Sequence, residues 1–410
     1  MNTSKKHIIW NAVGSTFNAF VSLFFTIVAT RINGEEQAGI FSLAFATASI
    51  MYIIGSYIVR TYQVTDITGE YSDTDYIYNR VITCTAMIIV SVAFVILRGY
   101  NIYKSAVVVT LCLVRCIDAF AEILYGILQK NERLYNVGIS LFVRGVLSVS
   151  IFTIIDILTK NMLLSCVSLI FVYISTILII DVRNLKTVKI ITSKFCFKKT
   201  YSLLKCSFLT FLISIFGMYI VNAPRYAIDD FMNDKIQTVF GIIIMPATVM
   251  ALLSQYTIHP LLTKIATSLK NNDFAALKKL NLTIFFIMAA FGLAVIPIAY
   301  IFEEPILSLV YGIDLKPYKT EMMIIIFGAA FYGIQTVFSN VLIALRKNVF
   351  QVSVLGFSSL FAATASYALV HRLGLYGASL TYLLTMMIVS GIFVIYIFFV
   401  LNRNLKAKKR

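Results

Sequence analysis

The chain has 410 residues, of which 59% are apolar and only 13% charged, with a mean hydropathy of +0.86 and a formal net charge of +16. A soluble domain averages about 45–50% apolar and about 25% charged residues, so this chain has too little polar surface to cover a water-soluble fold. These figures exclude a cytosolic enzyme, a nucleic-acid-binding domain and a secreted disulfide scaffold, and they make a bilayer the natural solvent.

A membrane-crossing helix needs about 20 apolar residues. Twelve such runs are predicted, at 7–30, 37–59, 80–97, 104–128, 136–156, 161–181, 203–223, 236–258, 281–302, 321–345, 350–370 and 375–401. The expectation is an all-α polytopic membrane protein with short loops and no sizeable soluble domain. The first run follows Lys5 and Lys6, as a signal peptide would, but it is too long and too polar for a cleaved h-region and is read as retained. It carries Asn11, Ser15, Asn18 and Ser22 at helical spacing, a polar strip that could line a cavity or pack against another helix. After the second run comes Arg60-Thr61-Tyr62-Gln63-Val64-Thr65-Asp66.

The fourth run carries Arg115, Asp118, Glu122, Tyr125 and Gln129. At 100° per residue these five fall within about 80° of arc, so one face is polar and the rest apolar. The fifth run adds Arg144, with Ser140 and Ser148 one turn to either side. A charge at the bilayer centre costs about 2.5–3.5 kcal/mol on insertion scales and needs a reason to persist. One reason is a wet cavity, in which the arginines bind an anionic substrate and Asp118 or Glu122 carries a coupling H+ or Na+. The other is ion pairing between packed helices, with Arg115 on Asp118 or Glu122 and Arg144 on Glu122. The sequence leaves both open. Arginines at predicted helix ends, Arg31, Arg60, Arg80 and Arg225, can snorkel to head groups or fork onto phosphate oxygens.

The most basic connection, 183–202, falls near the midpoint after six runs. It divides the chain into an N-terminal six-helix lobe (1–182), a cytoplasmic linker (183–202) and a C-terminal six-helix lobe (203–410). Asn222-Ala223-Pro224-Arg225-Tyr226 is expected to close the seventh helix, and Pro246 and Pro297 to kink the eighth and ninth. With the N-terminus inside, the linker and the C-terminal tail concentrate Lys and Arg on the cytoplasmic side. The outer loops keep Arg31, Arg98, Lys104, Lys160, Arg225, Lys235, Lys316, Lys319 and Arg372. That bias predicts both termini in the cytoplasm and makes anionic membrane lipids, not nucleic acid, the partner of the basic charge. The six cysteines form no CxxC pair, and the three histidines lie far apart, so no metal or cofactor is expected. No P-loop, GxGxxG, GxSxG or HExxH in suitable context is present, and enzymatic activity is not expected.

The opening Lys6-x-x-x-Trp10-Asn11-Ala12-x-Gly14-Ser15, the Ala38-Gly39-Ile40-Phe41 start of the second run, the Arg60…Asp66 segment and the Pro224-Arg225-Tyr226 turn resemble Wzx-type polysaccharide flippases of the multidrug/oligosaccharidyl-lipid/polysaccharide exporter (MOP) superfamily. The resemblance spans the chain. It implies a MATE-like fold of two six-helix lobes around a cavity that opens alternately to each side of the bacterial inner membrane. It also implies a substrate, an undecaprenyl-diphosphate-linked oligosaccharide, and a place beside polysaccharide polymerase machinery in making O-antigen, capsule or exopolysaccharide. The expected substrate-binding residues are Arg31, Arg60, Arg115, Arg144, Arg225, Asn11, Asn18 and Tyr226, with Asp118 and Glu122 for ion coupling. A cation-coupled multidrug exporter of the same fold is the alternative. A membrane polysaccharide polymerase is less favoured, because the outer loops are short for a catalytic site.

Overall fold

The structure is a computed structural model that describes the backbone of residues 3–66 and 69–409 and the side chains of 9–66, 69–258 and 261–406. The side chains of Lys5, Lys6, His7, His259, Lys408, Lys409 and Arg410, used above for topology and metal binding, lie outside the described residues. Among the described residues the regular elements are all helical. The protein is a multi-pass membrane protein, and among the described residues ten helical stretches are long and apolar enough to cross a membrane.

The first of them, α1 (Thr3–Ser56), is 54 residues long and contains both of the first two predicted runs. The predicted loop between them shrinks to one non-helical residue, Gly34, at φ 81° and ψ 177°. Such a backbone suits glycine because a side chain there would be strained. The helix α4 (Ile102–Lys130) is 29 residues long and spans by length, its apolar content reduced by the charges on its polar face. Ten spans stand where twelve runs are predicted: the first two runs share α1, and α4 carries too much charge to count as an apolar span.

The chain divides into two compact units, Met1–Ile215 and Phe216–Arg410. In the first, α1 and α4 pack with α2 (Val59–Thr65), α3 (Asp73–Arg98), α5 (Leu134–Thr159) and α6 (Met162–Thr176). A π-helical turn, Ile177–Asp181, and the short α7 (Val182–Leu185) continue α6. Phe25, Phe41 and Phe152 interlock at the centre of this unit, with centroid separations of 4.8–6.2 Å. The first limb of α1 lies directly on α5. A Cβ on Gly14 would sit 2.0 Å from the carbonyl oxygen of Gly138, and one on Gly138 would sit 2.2 Å from that of Trp10. Small residues are what allow two membrane helices to approach this closely.

The unit boundary does not coincide with the linker. The next helix, α8 (Phe197–Phe231), begins inside the predicted linker, and its first turns belong to the first unit. The linker is bolted to the start of α3. Asp73 and Ile191 exchange two hydrogen bonds, of 3.0 Å between their backbones and 2.9 Å from Ile191 N–H to the Asp73 carboxylate. Buried Asp75 accepts from Ser72 N–H, the Ser72 and Ser193 hydroxyls and the Lys199 ammonium, at 2.7–3.1 Å. Asn79 donates to the Thr200 carbonyl, Tyr71 to the Ser202 hydroxyl, and the Tyr57 ring stacks on Phe211 at 4.3 Å.

The same helix corrects a second expectation. It does not close at Pro224; it runs through to Phe231 with Pro224 inside it. Proline removes one backbone donor, a loss that membrane helices accommodate by local adjustment. The second unit continues with α9 (Asp234–Ile243), α10 (Met245–Lys270), α11 (Phe274–Tyr311), α12 (Lys319–Ala344), α13 (Asn348–Leu373) and α14 (Leu375–Lys409). Pro246 does not sit mid-helix: it opens α10, where its missing N–H has no helical partner to lose. Pro297 lies inside α11, as expected. In this unit α12 lies tightly on α14, where a Cβ on Gly328 would meet the ring of buried Tyr382 at 2.7 Å.

Two measurements check this architecture. Gly138→Leu is expected to prevent the α1–α5 approach and to remove folded protein from the membrane, read by detergent-solubilised yield and thermal melting. Asp75→Ala leaves the buried N–H and hydroxyl of Ser72 without their acceptor, a loss of about 1–3 kcal/mol. Its expected signature is faster tryptic cleavage at Lys194 and Lys198 in native membranes, with the rest of the chain still protected.

Candidate functional site

The polar face of α4 is the centre of a buried charged network in the first unit. Asp118 sits between two guanidinium groups. Arg144 on α5 approaches its Oδ1 to 2.7 Å, and Arg115, one turn back on α4, approaches its Oδ2 to 3.1 Å. Arg144 is only 1% exposed. Its guanidinium lies over the rings of Tyr173 at 4.7 Å and Tyr125 at 5.7 Å, two aromatic faces that favour a cation. Arg115 lies over Phe45 at 4.6 Å and Tyr52 at 5.9 Å, both on the second limb of α1.

One turn further along, Glu122 pairs with Arg80 of α3 at 3.7 Å. Arg80, also 1% exposed, donates to the carbonyl of Gly55 at 2.5 Å, and Thr83 donates to the same oxygen at 2.7 Å. The next turn carries Tyr125, whose hydroxyl lies 3.2 Å from that of Ser140 and 3.4 Å from the Asp181 carboxylate. The last carries Gln129, which accepts from Arg60 at 2.9 Å. From Arg115 to Gln129 the network covers about 21 Å of helix axis at 1.5 Å per residue. Three arginines, Arg80, Arg115 and Arg144, thus pair with two carboxylates, Asp118 and Glu122, and a fourth, Arg60, takes the Gln129 amide. Nε and Nη1 of Arg144 and Nε of Arg80 are buried without a hydrogen-bond partner.

The loop after α2 adds a tyrosine cluster outside the spans. Asp66 accepts from the N–H groups of Glu70 and Tyr71 and from the Tyr76 hydroxyl. Burial and the Glu70 carboxylate push the Tyr62 hydroxyl up to about 12, and Tyr71 is raised for the same reasons. Both therefore remain hydrogen-bond donors at neutral pH.

The predicted site residues distribute as follows. Arg60, Arg115, Asp118, Glu122 and Arg144 come together on the α4 network. The expected pairing of Arg144 with Glu122 is replaced: Arg144 takes Asp118, and Glu122 takes Arg80. Asn11 and Asn18 lie half-buried on the first limb of α1, with Ser15 between them exposed. The face of α1 that packs on α5 is a different one, running through Gly14, Phe17 and Val21. Arg31 is exposed, near Gly34. Arg225 and Tyr226 are buried in the second unit, where Arg225 lies over the Phe240 ring at 5.6 Å and Tyr226 stacks on Tyr219 at 6.3 Å.

Arg80 was read from the sequence as a helix-end residue and is instead fully buried. Its signal was present in the periodicity of Tyr76, Arg80, Thr83, Cys84 and Met87, which all lie on the buried face of α3. A second polar knot, where Asp156 accepts from Asn33 at 2.5 Å and from Ser165 at 2.8 Å, gave no such signal, because its members lie far apart in the chain. The second unit has a different character. It holds an apolar cavity of about 510 Å³ lined by residues including Phe285, Gly292, Phe327, Phe331 and Met387.

No family model matches the chain. The chain is 23% identical to a capsular polysaccharide biosynthesis protein, CapF, of Staphylococcus aureus, over 92% of this chain and 94% of that protein. Among solved structures it is similar to an inward-facing multidrug resistance MATE family transporter of the MOP superfamily. That likeness has a TM-score of 0.73 and 11% identity, covering 98% of this chain and 99% of the other. It is also similar to the lipid II flippase MurJ in an inward closed conformation, with a TM-score of 0.70 and 16% identity, covering 95% of this chain and 87% of that one. The fold is that of MOP-superfamily transporters.

Asp118→Asn is expected to destabilise the first unit by about 3–5 kcal/mol, because it leaves buried guanidinium charge uncompensated. Pairing it with Arg144→Gln should recover part of that loss. A double-mutant cycle on thermal unfolding in detergent measures the coupling, and additive losses would show that the pair is not a unit.

Proposed function

We propose that this chain is a flippase that carries an undecaprenyl-diphosphate-linked oligosaccharide from the cytoplasmic to the outer leaflet of the bacterial inner membrane by alternating access. The product would feed assembly of a surface polysaccharide. The observation that carries the reading is the arginine excess on the α4 network, with donors of Arg80 and Arg144 still unused inside the first unit. Guanidinium groups suit diphosphate because two N–H groups can meet two oxygens at once. The relative named for capsular polysaccharide biosynthesis, matched along 92% of the chain, supports the sugar-lipid class of substrate, and the fold shared with a lipid II flippase supports the flipping step.

On this reading the ion pairs with Asp118 and Glu122 hold the arginines when no anion is present. A diphosphate competes with those carboxylates, and loosening the pairs changes how α3, α4 and α5 pack. The half-exposed Asn11, Ser15 and Asn18 strip offers amide and hydroxyl groups suited to a sugar. Charge bias along the chain supports cytoplasmic placement of both termini. Polymerase machinery would take up the flipped lipid.

A second reading, a multidrug exporter, draws on the likeness to the MATE transporter and on the apolar cavity of the second unit, which fits an apolar guest. Deleting the gene separates the two. The flippase reading expects loss of surface polysaccharide and build-up of a polyprenyl-diphosphate oligosaccharide inside the cell, identified by mass spectrometry of extracted lipids. Intact polysaccharide with altered drug sensitivity would establish the exporter instead. Arg144→Lys keeps the charge but loses the fork, and is expected to lower surface polysaccharide at least tenfold while the protein stays in the membrane at normal level (about 1.4 kcal/mol of lost transition-state binding or more).

A further inference from the structure

Buried or half-buried carboxylates in the spans of the first unit have partners: Asp118 and Glu122 have arginines, Asp156 has Asn33 and Ser165, and Asp181 has Tyr125. Glu303, on α11 in the second unit, does not. It is 9% exposed, and neither Oε1 nor Oε2 has a hydrogen-bond partner among the described residues. Its chain neighbour Glu304 is engaged elsewhere, taking the Ser308 hydroxyl at 3.2 Å.

A buried carboxylate must be neutralised by a cation, a metal ion or a proton. Among the described residues, the elements packed around α11 supply no paired cation. No Asp, Glu, Lys or Arg occurs in α10 before Lys264 or in α14 before Arg403. The start of α12 and the turn before it carry Asp314, Lys316, Tyr318, Lys319 and Glu321; Asp314 accepts from Lys316 N–H, and Lys319 lies over the Tyr300 ring at 4.3 Å and makes no ion pair with Glu303. The Tyr311 hydroxyl, two turns along α11, is turned to the sulfur of Met245. A metal ion asks for several oxygen ligands, and the nearby Glu304 and Tyr311 oxygens are already turned to Ser308 and Met245. A proton asks for one oxygen.

We propose that Glu303 is a proton-exchange site of the second unit. In the step, a hydronium ion gives its proton to one Oε, one O–H bond forms, one water is released and the side chain passes from −1 to neutral. Pro297 and Pro305 lie to either side of Glu303 in the same helix. Each removes an N–H from the helical ladder and leaves the carbonyl four residues earlier without its bond, so this stretch of α11 is able to bend. A change of one charge between two weakened turns shifts which bend is favoured. Coupling of that shift to substrate movement rests on the flippase reading; the protonation itself does not.

The test uses the unaltered chain in native membranes and a hydrophobic carbodiimide, dicyclohexylcarbodiimide, which adds to protonated carboxyl groups in apolar surroundings. The adduct is mapped by mass spectrometry of peptides. Expected is a label on Glu303 at neutral pH that is lost as the membranes are made alkaline and is unchanged by added sodium chloride, with Glu304 unlabelled. No label on Glu303, equal labelling of Glu304, or protection by sodium would each overturn the proposal, the last by making a metal ion the occupant. Glu303→Gln should remove the label and, where the chain transports, remove the dependence of transport on a pH gradient. A label with no transport of glycolipid would sink the flippase reading and leave this site standing.

Discussion

One constraint organises the first unit: charge placed inside a membrane fold has to be compensated there. Asp118 is held by Arg115 and Arg144, and Arg144 is 1% exposed between two tyrosine rings. Water cannot share the load at such a site, so each ion depends on its partner. The same logic pairs Arg80 with Glu122 and ties Arg80 to the open carbonyl of Gly55. Three helices and the second limb of α1 are thereby fixed around the polar face of α4. On the proposed flippase reading, an arrangement that depends on ion pairs can also be opened by another anion.

The linker follows a related principle at the membrane edge. It carries many basic residues and no acidic one. Its backbone finds partners by docking on the acidic first turn of α3, where Asp73 and Asp75 accept hydrogen bonds from it. Those carboxylates also cap the helix, where negative charge is favoured by the helix dipole. The connection is therefore part of the first unit and carries the first turns of α8 with it.

The two units solve the problem of burial differently. The first buries charge in pairs, while the second is held by close apolar packing, such as Gly328 against Tyr382, around an apolar cavity. Against that background the bare carboxyl of Glu303 stands out, since among the described residues no arginine or lysine pairs with it as arginines pair with Asp118 and Glu122.

The sequence alone determined the solvent, the all-helical class and the polar face of α4, because hydropathy and helical periodicity are local properties. It identified Arg115, Asp118, Glu122 and Arg144 as residues needing partners, since each charge sits in an apolar run. It could not choose the partners. Arg144 takes Asp118 and Arg80 takes Glu122 because of how α3, α4 and α5 rotate against one another, and that rotation is set by packing across the whole unit. The end of α8 was misread because proline usually marks a boundary in water, whereas within this fold the helix runs on through Pro224. The loop at 31–36 was overestimated because one glycine at positive φ suffices to interrupt the helix. Partner choice and burial are sums over contacts distant in the chain, and only the tertiary structure decided them.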